Sequence, residues 1–142
     1  MHYQFVRSLA ESFEHISRFE SACYHYLYNA DCTARRDYFH ILYHHYYDKC
    51  LIDHPRINRQ HLDKLVNAAL LELTYPVASD GYAWSTNDRC LCTGISRRSW
   101  YRHSYHTLIK SIIDEVRTVS DTVDMLIGSQ LADYYKANSN CA

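Results

Sequence analysis

Cys90-Leu91-Cys92-Thr93-Gly94-Ile95-Ser96-Arg97-Arg98-Ser99-Trp100-Tyr101-Arg102-His103 is the stretch on which the reading of this chain turns. Gly94 has no Cβ, so it takes at little cost the left-handed conformation that ends a helix tightly. Ile95 is apolar and suited to lie under such a turn. Ser96 then offers a side-chain oxygen to the orphan amides of a new helix. Four residues on, Trp100 falls on the face turned back toward Ile95, while Arg97, Arg98, Tyr101 and Arg102 fall on the other side. This order predicts a helix-turn-helix, the unit that lays its second helix into the DNA major groove. The plainer reading of the same residues is an αα-corner with an arginine-rich solvated face.

Upstream of the turn, Ser85 and Thr86 are good caps for the first helix of the unit. Cys90 precedes Gly94 by four residues, where two crossing helices approach and a small apolar residue is wanted. Arg89 fits less comfortably, since an aliphatic residue is usual at such a place. Downstream, Ile109, Ile112, Val116, Val119, Val123 and Leu126 recur in three- and four-residue steps along a long helix. Such a seam is core in a globular domain. It also suits a homodimer through Ile112, Val116, Val119 and Val123.

The preceding residues read as helices too. Residues 3 to 28 predict one long helix with Phe5, Leu9, Ile16, Phe19, Cys23 and Tyr26 along one stripe. Thr33 is placed to cap a second helix, running to about Lys49 on a stripe of Phe39, Leu42, Tyr43, Tyr46 and Cys50. Asp53-His54-Pro55 breaks the chain, because proline disfavours a helical residue before it. Asn58 is placed to cap a third helix with Leu62, Leu65, Val66, Ala69, Leu70 and Leu73 on its core face, and Pro76 to stop it. Val77 to Trp84 reads as a loop. The expected fold is therefore all-α, a helical domain with a helix-turn-helix and a long C-terminal helix. Residues 1–57 are expected to form an N-terminal helical arm or hairpin, and 58–142 the helix-turn-helix domain.

Composition agrees with this class. Only 3 glycines and 2 prolines occur in 142 residues, which favours helices with short connections. The net charge of −1 rules out a general polycation. Charge is unevenly placed, however: Arg89, Arg97, Arg98, Arg102 and Lys110 stand in a stretch with no carboxylate, followed by an acidic segment from Asp114 to Asp133. A basic face on a neutral protein suits groove binding. Arg7, Glu11 and Glu14 interrupt any leader-like apolar run, and no segment is long enough to span a bilayer. A cytoplasmic protein with 6 reduced cysteines is expected. The 14 tyrosines suit helix, protein and nucleic-acid interfaces equally.

Catalytic signatures are missing. There is no phosphate-binding glycine loop, nucleophile elbow or HExxH, so no enzyme is expected. His40 and His44 with Cys50, and Cys90-x-Cys92 with His103-x-x-His106, are the two sets with some metal-ligand character. Neither has paired Cys-x-x-Cys spacing, so neither a metal nor any other cofactor is expected.

Gly94-Ile95-Ser96-Arg97-Arg98-Ser99-Trp100-Tyr101-Arg102-His103, together with Tyr105 and the long striped helix, resembles phage late-gene regulators of the antitermination protein Q type. The likeness covers about a third of the chain. It implies a protein that contacts double-stranded DNA through Arg97, Arg98, Ser99, Tyr101, Arg102 and His103. It further implies engagement of bacterial RNA polymerase in the cytoplasm of the host cell, letting it read through terminators. Two rival classes remain open: a simple dimeric helix-turn-helix repressor or activator, and a phage inhibitor of a host protein that binds no DNA.

Overall fold

A computed structural model describes residues 16–28, 32–75 and 83–140. Among them are six helices and no strand: α1 (Arg18–Tyr28), α2 (Cys32–Asp53), α3 (Arg59–Glu72), α4 (Thr86–Thr93), α5 (Arg97–Arg102) and α6 (Tyr105–Asn140). The protein is all-α, and the long C-terminal helix is present. At 36 residues α6 is its spine, about 54 Å from end to end at 1.5 Å per residue. Helices α1 and α3 both pack on α6, and α2 lies across α1 and α3. Helix α4 leans on α3, and α5 bridges α4 and α6.

Local chemistry explains where the helices begin. Asn58 accepts hydrogen bonds from the amides of Gln60 and His61 at 3.0 and 3.1 Å, the expected cap of α3. Ser17 and Glu20 form a reciprocal capping box at the start of α1. That box corrects the expectation of one helix from 3 to 28, because Ile16 and Ser17 are not helical. Phe5, Leu9 and the rest of residues 1–15 lie outside the described residues, as do 76–82, which hold Pro76 and most of the expected loop. Helix α2 also runs past the expected Lys49 to Asp53, which keeps Cys50 within it and buried.

One core joins all of this. Leu62, Leu65, Val66, Ala69, Leu70 and Leu73 of the third helical segment are all buried, as their spacing predicts. They meet Ile109, Ile112, Ile113 and Val116 of α6, Leu42, Tyr46 and Cys50 of α2, and Ala22, Cys23 and Tyr26 of α1. Residues on both sides of the expected boundary between 57 and 58 thus contribute to one continuous core.

Most of the α6 seam is covered within the chain, Ile112 and Val116 in that core and Val123 in a smaller cluster with Tyr24 and Ile127. Ile112, Val116 and Val123 are buried within the chain, and Val119 is half-buried against the same core. The seam also leaves its heptad register. Leu126 is exposed, whereas Ile127 is buried beside Val123 and Tyr24. A straight helix turns 3.6 residues per turn, so a stripe held on one neighbour drifts by one residue over a few heptads.

Candidate nucleic-acid interface

The geometry around Gly94 follows from its neighbours. Ser85 accepts from the Asp88 amide at 3.1 Å while the Asp88 carboxylate accepts from the Ser85 amide, so α4 starts with a complete capping box. It ends at Gly94, whose φ of 71° is left-handed and whose amide donates to the Cys90 carbonyl. Thr93 secures the turn from inside. Its buried hydroxyl donates to the Arg89 carbonyl at 2.8 Å and accepts from the Ile95 amide at 3.2 Å. Ser96 then caps α5 by accepting from the Ser99 amide.

Faces sort as the spacing predicts. Cys90, Ile95 and Trp100 are buried, and the Trp100 ring meets Tyr105 edge-on with centroids 5.9 Å apart. Arg97, Arg98, Tyr101, Arg102 and His103 are exposed, and Ser99 is half-buried. All six residues expected to contact DNA thus belong to α5 or its C-cap. Tyr101 is tied to its surroundings: hydrogen bonding by Arg97, and then by Thr86, pulls its phenol below the ordinary range. His103 stacks on Tyr105 at 5.3 Å, which turns it toward the joint between α5 and α6. The joint itself is sharp, because Ser104 has a φ of 53°, a left-handed conformation that costs a residue with a Cβ roughly 1–2 kcal/mol.

Arg89 departs from the expected DNA face. Its side chain is only 11% exposed and pairs with Glu72, which is 3% exposed. Two parallel bonds form, Nε to Oε1 at 2.8 Å and Nη2 to Oε2 at 2.9 Å. The guanidinium is consumed in holding α4 to the end of α3. Four exposed cations then remain along the stretch: Arg97, Arg98, Arg102 and Lys110. The pairing was legible only as two anomalies, a glutamate inside an apolar run at 70–73 and an arginine where an aliphatic residue is usual.

Neither metal-ligand set assembles. Among the described residues no three His, Cys, Asp or Glu side chains gather closely enough to hold a metal ion. Cys90 faces the interior and Cys92 the solvent. Among the same residues no helix is long and apolar enough to cross a membrane. Comparison of the chain with known protein families, curated proteins and solved structures gives no match.

Proposed function

We propose that the protein is a DNA-binding transcription regulator that presents α5 to the major groove and acts together with bacterial RNA polymerase, as an antitermination factor. The observation that carries this reading is the left-handed turn at Gly94, with Ile95 and Trp100 buried on one side of α5 and Arg97, Arg98, Tyr101 and Arg102 exposed on the other. Rigid placement of a cationic face by a buried one is what groove reading requires, since side chains must meet base edges at fixed positions.

The size of this face argues for a partner. Helix α5 has 6 residues, about 9 Å, enough to face roughly three base pairs. Each phosphate neutralised adds about 0.9 to the slope of log affinity against log salt, so four cations support a slope of only about 3–4. Such a footprint is small for a regulator that must find one site unaided. Ile112, Val116 and Val123 of the α6 seam are buried within the chain, which favours a partner other than a second copy on that seam. Polymerase already held at a promoter supplies the missing contacts on this reading, and it is the partner that the phage-regulator resemblance implies.

Two measurements test the proposal. Gel-shift titration over salt is expected to show binding with a slope near 3–4 that the double variant Arg98→Ala/Arg102→Ala weakens. Transcription in vitro across a terminator is expected to show more readthrough with the protein present. Repression of the promoter with readthrough unchanged would leave a simple regulator in its place, and failure to bind any duplex would leave the inhibitor of a host protein.

A further inference from the structure

Beside the joint of α5 and α6 lies a cleft of about 1030 Å³, at the upper end of the range for small-molecule sites. One wall is the C-terminal end of α2 with the turn at 53–58. The other is the joint itself, with His103, Ser104 and Tyr105, and the first turns of α6.

The lining is graded. Its floor is buried and largely apolar: Tyr46, Cys50, Tyr105 and Ile112. Half-buried Ile57 and Leu108 form the sides, with His61, whose Nδ1 lies 2.8 Å from the Tyr105 hydroxyl. The rim carries exposed hydrogen-bond donors, His54, Arg56 and His103. Two acids also face the space. Glu115 is already satisfied by the Tyr46 hydroxyl at 2.7 Å and the Lys49 ammonium at 3.3 Å, and Asp53 stands at the edge. A flat apolar body fits such a floor and an anionic group fits such a rim.

We propose that this cleft is a ligand site for a small planar anion, its ring lodged against Tyr105 and Ile112 and its acid group taken by Arg56, His54 and His103. An occupant touches both walls at once, so it fixes the turn at 53–58 against the residue that ends α5 and against the left-handed Ser104 that follows. Where the helix-turn-helix reading of α5 holds, and the coupling rests on it, occupancy sets the pose of the DNA-reading helix. A ligand that binds better in one pose shifts DNA affinity by that preference.

The test uses the full chain and three probes: 2-naphthoate (ring and anion), 2-naphthol (ring alone) and inorganic phosphate (anion alone). Imidazole NMR signals of His61 and His103 report binding. Saturable shifts with 2-naphthoate are expected, with each of the other probes about tenfold weaker or more, a difference of about 1.4 kcal/mol. The double variant His54→Gln/Arg56→Gln is expected to weaken 2-naphthoate about tenfold. Both residues are exposed, and an unchanged melting temperature shows that the fold is kept. No saturable shift below about 10 mM, weaker than a millimolar-range site, overturns the proposal. So does phosphate binding as tightly as 2-naphthoate, or an affinity untouched by the double variant. DNA affinity is then measured with and without 2-naphthoate, and a change supports the coupling. DNA binding that ignores a bound 2-naphthoate overturns the coupling. A protein that binds 2-naphthoate and no DNA keeps the site and removes the DNA reading.

Discussion

Arg89 and Glu72 meet through two parallel hydrogen bonds of 2.8 and 2.9 Å, and that pair fastens the first helix of the helix-turn-helix to the end of α3. Cys90, Ile95 and Trp100 supply the unit's apolar contacts, and Arg89 supplies the charged one. An arginine is tolerated there because a carboxylate of matching geometry is buried beside it.

Removing one member of this pair leaves the other buried without a partner. Glu72→Ala is therefore expected to destabilise the fold by about 3–5 kcal/mol. The double variant Glu72→Leu/Arg89→Leu is expected to recover most of that loss, because an apolar pair of similar volume carries no desolvation cost. Urea denaturation of the two variants measures both quantities. Equal stability of Glu72→Ala and the unaltered protein would show that the pair contributes nothing.

Gly94 tests the turn alone. A Cβ built there meets no heavy atom within 4 Å, and the backbone φ is +71°. The cost of Gly94→Ala is thus purely conformational, about 1–2 kcal/mol, and Gly94→Asn is expected to cost less, since asparagine tolerates this region. Thermal melts of the two variants should rank them in that order, and the reverse order would mean that space rather than backbone decides.

Trp100 and the arginines separate folding from binding. Trp100 is 1% exposed, so Trp100→Ala is expected to lower stability by about 3–5 kcal/mol. Arg98→Ala/Arg102→Ala is expected to leave the melting temperature unchanged and to cost about 1–3 kcal/mol of discrimination for each base edge an arginine reads. A Trp100→Ala protein that melts normally but loses DNA would place its ring on the wrong side of α5.

Val116 tests the seam of α6. It is fully buried in the chain's own core, so Val116→Asp is expected to unfold the protein rather than split a dimer. Circular dichroism with sedimentation distinguishes the outcomes. A folded monomer produced from a dimer by this substitution would restore the seam as an interface.

Alkaline pH probes the joint between α1 and α3. The Tyr26 hydroxyl donates to the Leu70 carbonyl at 2.6 Å, and burial pushes its pKa from the ordinary value near 10 up to about 12. The unfolded chain releases this proton first, so between about pH 10 and 12 the folded state binds more protons and stability falls as pH rises. The contribution is complete below pH 10 and lost by about 12. Melting temperatures of the unaltered protein and Tyr26→Phe across this window should converge as pH rises. Parallel curves would mean that Tyr26 does not drive the loss.

Much of the fold was legible because it rests on short-range chemistry. The cap at Asn58, the left-handed turn at Gly94, the cap at Ser96 and the six-residue core face of the third helix each need only residues within a turn or two of one another. The start of α1 was misread because the apolar stripe runs on through Ile16 to Phe19, and periodicity outweighed the Ser17–Glu20 capping box. The arginine face of α5 was also legible, since Trp100 fixes which side is inward.

Sequence by itself thus determined most of the helices, the caps at Asn58, Ser85 and Ser96 and which face of α5 is charged, since backbone propensity and helical periodicity act over a few residues. Tertiary structure alone decided which charges remain available and which stripes are already covered. Arg89 leaves the cationic face because Glu72, seventeen positions away, is brought beside it. The α6 seam is covered because α1 and α3 dock on it. His61 and His103 share a cleft only because α3 and the α5–α6 joint meet there. These are long-range juxtapositions, set by which apolar faces find each other in the core, and no local pattern encodes them.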